Sequence, residues 1–173
     1  MILYIKGKPQ SPEGIAVLNG ESFPVVLGRN GVIAAEAKRE GDGCTPLGLY
    51  KVLYGFYRPD RVVLADADKT HFSWLPIGED LGWCDAPTDP AYNSIVPMGY
   101  TASHEVMMRT DSAYDRVLVI SHNLPAVPHM GSAVFIHQLH EGKTATAGCV
   151  ALAPADMQRV LAAGITAIEI SIG

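Results

Sequence analysis

Asn19-Gly20 stands between two short apolar runs, Ile15 to Leu18 and Phe23 to Leu27. An Asn-Gly pair adopts the positive-φ conformation that a two-residue hairpin demands, so it predicts an antiparallel strand pair here. Runs of similar length, rich in β-branched and aromatic residues, recur along the chain: Ile2 to Ile5, Leu49 to Tyr54, Val62 to Leu64, Phe72 to Ile77, Val117 to Ser121, Ala133 to His137, Cys149 to Leu152 and Ala167 to Ile172. Only APADMQRVLAAG, near the C-terminus, reads as a helix. Pro154 suits a first turn, Met157, Val160 and Leu161 repeat at helical spacing, and Gly164 is placed to stop it. Many short strands with one C-terminal helix predict a mainly β fold, a sandwich or barrel-like arrangement of mixed sheets. No repeat, low-complexity run or Pro/Ser linker divides residues 1–173, so one domain is expected. The segment from Gly78 to Thr101 shows no period and reads as a long lid or binding loop.

Composition narrows the partners. The chain has a net charge of -5, and its basic residues are scattered apart from Lys38-Arg39, so neither nucleic acid nor an anionic membrane surface is an expected partner. No run of about 18 apolar residues is present to span a bilayer. The N-terminus lacks a basic segment followed by an apolar one and a small-residue cleavage site, so a cytoplasmic location is expected, or a periplasmic one if a signal has been trimmed. Cys44, Cys84 and Cys149 are an odd and sparse set, which suits a reducing compartment better than a disulfide framework.

The chemistry concentrates in FIHQLHEGKTATAGCVALAP, residues 135–154, where Cys149 follows Gly148 and His137 lies twelve positions upstream. An imidazole that takes a thiol proton makes the sulfur a nucleophile, and the small Ala147 and Gly148 leave the approach open. A tight turn there would also aim the N–H groups of Gly148 and Cys149 at one point, as an acyl-transfer oxyanion requires. The spacing alone equally fits a small buried cysteine and a hydrogen-bonded histidine at a strand end. His137 and His140 form H-x-x-H near Cys149, but residues three apart on a strand face opposite ways, and no C-x-x-C or H-E-x-x-H accompanies them. No metal or other cofactor is therefore expected. His71, His104, His122 and His129 show no ligand spacing, and Cys44 and Cys84 read as structural.

From about Val25 to Leu152 the sequence resembles the YkuD-type L,D-transpeptidase catalytic domain, whose signature is a histidine followed by [S/T]-x-G-C. Here that is His137 with Thr146-Ala147-Gly148-Cys149. The GDGxTPxG of one branch, which includes cytoplasmic L,D-carboxypeptidases, is similar to Gly41-Asp42-Gly43-Cys44-Thr45-Pro46-Leu47-Gly48, and Trp83-Cys84-Asp85, Tyr92-Asn93, Tyr114-Asp115 and Gly131-Ser132-Ala133 add to the likeness. The resemblance implies Cys149 as nucleophile, His137 as base and the Gln138 carbonyl as the group that orients the imidazole. It implies peptidoglycan stem peptides as substrates, cut between diaminopimelate and the terminal D-alanine through a thioester, and carbapenem-class β-lactams as acylating inhibitors. Many members carry histidine where Ala147 stands and arginine where the chain has Val150-Ala151. The expected reaction is L,D-carboxypeptidase cleavage of tetrapeptide muropeptides to tripeptides in wall recycling. A periplasmic L,D-transpeptidase that forms cross-links or exchanges D-amino acids is the alternative, followed by an inactive peptidoglycan-binding module. The D-alanine carboxylate calls for a cation, with Arg39 and Arg109 as candidates, and His122, Asn123, Tyr92 and Thr146 are expected to line the pocket.

Overall fold

The computed structural model describes residues 1–173, the side chain of Ala67 excepted. Strands β1 (Ile2–Lys8), β2 (Ser11–Leu18) and β3 (Glu21–Val26) form an antiparallel meander with Asn19-Gly20 at its second turn. The short parallel pair β4 (Val32–Ile33) and β5 (Thr45–Pro46) leads into the long β6 (Gly48–Tyr57), helix α1 (Asp66–His71) and β7 (Trp74–Pro76). Strands β8 (Leu81–Cys84), β9 (Ile95–Pro97) and β10 (His104–Val106) make a separate three-stranded sheet. The chain ends with β11 (Arg116–Ile120), β12 (Phe135–Gln138), β13 (Val150–Leu152), α2 (Pro154–Ala162) and β14 (Ala167–Ile172).

Eight strands run in the order β11-β12-β13-β3-β2-β1-β14-β6, and β6 pairs back onto β11, so the sheet closes into a ring with β7 attached outside. The ten residues of β6 make closure possible. Gly48 to Lys51 pair with β14, Val52 to Tyr57 pair with β11, and the register shift between Val119 and Ile120 marks the bend between the two halves. Alternation decides which side faces in. On β1, Leu3 and Ile5 are buried while Tyr4, Lys6 and Lys8 are exposed.

Two apolar cores lie on opposite faces of β11 to β13. One joins Leu3, Ile5, Leu118, Ile136, Val150 and Leu152 to Met157, Val160 and Leu161 of α2. The other gathers Phe56, Val117, Val119 and Phe135 with Trp83, Met107 and Tyr114. The Trp83 and Phe135 rings meet edge to face at 5.0 Å, an arrangement worth about 1 kcal/mol beyond area burial. Covered on both faces, β12 and β13 are buried at every position and pair in parallel, which is why their sequences read as unbroken apolar runs.

The mainly β, barrel-like architecture with a C-terminal helix agrees with the sequence reading, and three local expectations do not. Val62 to Leu64 is not a strand. Its burial alternates, with Val63 91% exposed between buried neighbours, but the Val62 N–H bonds back to the Arg58 carbonyl in a turn. The stretch from Gly78 to Thr101 holds β8 and β9, each too short to display a period. Helix α1, of six residues, is likewise too short for a helical repeat to register. Among the described residues no helix is long and apolar enough to cross a membrane.

Gly28 packs the turn after β3 against the 41–45 turn. Gly28→Ala would place its Cβ 2.3 Å from the Gly43 carbonyl oxygen, so a stability loss of ~1–3 kcal/mol is expected from the overpacking. An unchanged urea midpoint would show that the two turns separate without cost.

Candidate active site

The parallel register of β12 and β13 sets His137 opposite Ala151. Cys149, two positions before Ala151, therefore lies on the same face as His137, one rung away. The thiol donates to the Ala133 carbonyl at 3.1 Å, and the sulfur accepts the Phe135 N–H at 3.4 Å. His137 Nδ1 lies 2.9 Å from the Gln138 carbonyl oxygen, which can only accept, so the proton sits on Nδ1 and Nε2 is left as the base. The Tyr114 ring meets the imidazole edge-on at 5.4 Å and fixes its plane.

Burial keeps both groups neutral. It pushes the Cys149 thiol up to about 12, with Glu105 adding to the shift while the Phe135 N–H, Lys38 and Arg109 oppose it. Burial likewise holds His137 down to about 4, against the Gln138 carbonyl, which favours the charged ring. The resting pair is a thiol beside a neutral imidazole, not a thiolate–imidazolium pair.

The turn before Cys149 is built by hydroxyls. Thr146 Oγ1 donates to the Cys149 carbonyl at 2.8 Å and accepts the Gly148 N–H at 3.1 Å. Thr45 Oγ1 reaches the same carbonyl at 3.5 Å while accepting the Gly28 N–H at 2.9 Å. Gly148 has φ +147°, and a Cβ there would lie 2.8 Å from the Cys44 carbonyl oxygen, so glycine is required. Within the 41–48 turn, Asp42 accepts from Lys38 Nζ at 2.5 Å, from the Arg39 N–H at 2.7 Å and from the Cys44 N–H at 2.8 Å. Burial would raise its carboxyl, but these bonds outweigh that and hold it below the usual carboxylate value. The Asp-containing turn thus supports the Cys149 turn from below.

A cleft of about 390 Å³ opens over the pair, lined by cations Lys38, Arg109 and Lys143 and by carboxylates Glu40, Asp85 and Glu105. Of the sequence-predicted residues, Cys149, His137, Gly148, Thr146 and Arg109 line it. Arg109 is engaged, forking onto Asp111 at 2.9 and 2.6 Å and lying over the Tyr114 ring. Four expected lining residues stand elsewhere. Arg39 is exposed and its Nη1 donates to the carbonyls of Glu36 and Lys38. Tyr92 is buried, donating to Glu40 at 2.5 Å. His122 donates to the Met130 carbonyl at 3.0 Å, and Asn123 donates to those of Val127 and Gly131, so both shape the 124–131 loop behind the cleft. The Gly148 N–H, expected to face an oxyanion, is held by Thr146 instead, because the hydroxyl that ties the turn also reaches back to it. Of the predicted pair, the Cys149 N–H remains.

The family model for the L,D-transpeptidase catalytic domain, YkuD, matches residues 15–163. The chain belongs to the YkuD family. Comparison with curated proteins finds no match. Membership supports L,D-transpeptidase-type enzyme activity on peptidoglycan. Several YkuD cleft residues escaped sequence reasoning: Lys38, Glu40, Asp85, Glu105, His140 and Lys143. Lys38 is the first half of the one basic pair, Lys38-Arg39, and Asp85 closes the Trp83-Cys84-Asp85 motif, whereas nothing local marks Glu105. Asn93 is the hub of that wall: its Oδ1 accepts from Trp83 Nε1 at 3.1 Å and from the Ala133 N–H at 3.0 Å, and its Nδ2 donates to the His122 and Asn123 carbonyls.

The buried neutral groups set a pH window for stability. His137 and His122, both held near 4 by burial, gain protons at about 6.5 once unfolded, so their contribution is complete above about 6.5 and is lost as pH falls toward 4. The Cys149 thiol, raised from 9.0 to about 12, contributes below 9.0 and loses that contribution as pH rises through 12. The denaturation midpoint is expected to be flat from about pH 6.5 to 9 and to fall on either side, with His122→Gln making the acid limb shallower. An acid limb of equal steepness in that variant would show that His122 titrates as it does in the unfolded chain.

Proposed function

We propose that this YkuD domain is an L,D-carboxypeptidase that removes the terminal D-alanine from tetrapeptide stems. The reading rests on one arrangement: a neutral thiol and a neutral imidazole with its Nε2 unprotonated, on one face at the floor of a cleft that carries both signs of charge. A diaminopimelate stem peptide presents both ammonium and carboxylate groups, and the mixed walls suit such a zwitterion. On the acidic side Asp85 lines the cleft, and its buried Oδ1 has no hydrogen-bond partner among the described residues, so the carboxylate is not neutralised from within.

In the proposed reaction Cys149 Sγ adds to the carbonyl carbon that joins diaminopimelate to D-alanine while its proton moves from the Ala133 carbonyl to His137 Nε2. That proton is delivered to the leaving amine as the C–N bond breaks, giving a thioester. Water then attacks the thioester carbon, passing a proton to Nε2, and the C–S bond breaks with the proton returning to sulfur. Attack and proton transfer run together, because a separated thiolate–imidazolium pair is disfavoured in so buried a site. Water is favoured over an amine acceptor because Val150 and Ala151, where relatives carry arginine, are fully buried in the ladder and present nothing to an acceptor.

Mass spectrometry of products from a disaccharide tetrapeptide tests the proposal: tripeptide plus D-alanine is expected, with exchange only when a D-amino acid is abundant. Cross-linked dimers as the main product would replace this reading with the transpeptidase one, and no turnover at all would favour a binding module. Cys149→Ala is expected to lower turnover about 10⁴-fold or more and His137→Gln by about 10²–10⁴-fold, with Cys44→Ala close to wild type. A carbapenem is expected to add its mass to Cys149 and not to Cys44 or Cys84.

A further inference from the structure

The substrate carboxylate and the tetrahedral oxyanion both require a donor beside Cys149, and of the two arginines expected for the task only Arg109 lines the cleft, with part of its guanidinium already committed. Arg39 is turned onto backbone carbonyls, and Arg109 is forked onto Asp111. Lys38 is 3% exposed, yet it lines the cleft together with Gly148 and Cys149. Its stem passes beneath Gly131, where a Cβ would lie 3.0 Å from Lys38 Cε, and its tip emerges at the cysteine turn, with Nζ 3.8 Å from the position a Gly148 Cβ would take. The glycine at 148 leaves the ammonium uncovered on that side.

An ammonium has three N–H donors. Two are accounted for, one on Asp42 Oδ1 at 2.5 Å and one on the Arg39 carbonyl at 2.9 Å. A buried donor left without a partner is costly, so the third calls for an acceptor that arrives with the substrate. Asp42 holds the ammonium in place, and the 41–48 turn that carries Asp42 also carries Thr45, which reaches the Cys149 carbonyl. The cation and the thiol are therefore mounted on one scaffold.

Building on the proposed acyl transfer, we infer that Lys38 is the anion-holding residue of the cleft and gives its third N–H to an anionic oxygen at the reaction centre. That oxygen belongs either to the tetrahedral intermediate or to the carboxylate of the departing D-residue, and substrate variation separates the two.

The test compares wild type with Lys38→Met and with Lys38→Met/Asp42→Asn, which removes both members of the buried ion pair. Each is assayed on a tetrapeptide fragment ending in D-alanine and on one ending in D-alaninamide, with thermal unfolding in parallel. A double variant that melts like wild type and loses at least about 10²-fold in kcat/KM on the acid substrate is expected. An equal loss in kcat on the amide assigns the oxygen to the oxyanion. A loss carried by KM on the acid alone, with wild type already poor on the amide, assigns it to the carboxylate. A folded double variant within about threefold of wild type on both substrates overturns the inference. Should the double variant fail to fold, Lys38→Ala with added ethylammonium decides: recovery of tenfold or more supports the role, and none overturns it. A wild type inactive on both substrates would instead refute the proposed carboxypeptidase reaction.

Discussion

Thr146 fastens the cysteine turn to the rest of the molecule, and the geometry of the cleft depends on it. Its N–H donates to the Leu27 carbonyl and its own carbonyl accepts the Arg29 N–H, both at 2.9 Å. Its hydroxyl ties together the Gly148 N–H and the Cys149 carbonyl. One residue thus links the end of β3 to the turn that carries the thiol, and it does so with all of its hydrogen-bonding groups inside the protein. In the T-x-G-C pattern the threonine is a fastener and the glycine a conformational necessity, so only the last letter needs to meet a substrate.

The polar chemistry around the thiol follows from burial. A site set against an apolar core raises the energy of any isolated charge, which explains a neutral cysteine, a neutral histidine and the donors that Glu40 and Glu105 each find. Tyr114 gives its hydroxyl to Glu105 at 2.6 Å and its ring edge to His137. Burial raises the Glu105 carboxyl, although the Tyr114 hydroxyl and Arg109 both pull the other way. The dyad stands at the meeting point of an apolar floor and a charged rim.

Much of this was legible in the sequence because it depended on local pattern. Asn19-Gly20 marked a hairpin, and the apolar runs of β12 and β13 pointed to His137, on β12, and to Cys149, immediately before β13. What failed was non-local. Arg39 and Lys38 are neighbours in sequence, but which of them turns inward is decided by Asp42 and by the glycines at 131 and 148. His122 and Asn123 follow a buried strand, as a pocket residue would, yet the loop they support folds back and engages them. Glu105 reaches the cleft through a three-residue strand, too short for any periodicity to announce it.

The closed ring has a consequence for what can be recognised. The strand that carries His137 and the strand that Cys149 leads into are flanked on each side, β12 by β11 and β13, β13 by β12 and β3. An extended polypeptide usually gains affinity by adding its backbone to an open sheet edge, where alternate side chains are then read. At the floor of this cleft there is no such edge to join. Ordinary protein segments are therefore denied main-chain docking beside the thiol, and discrimination passes to side chains on the rim, which can read the charged ends of a short branched peptide of mixed chirality.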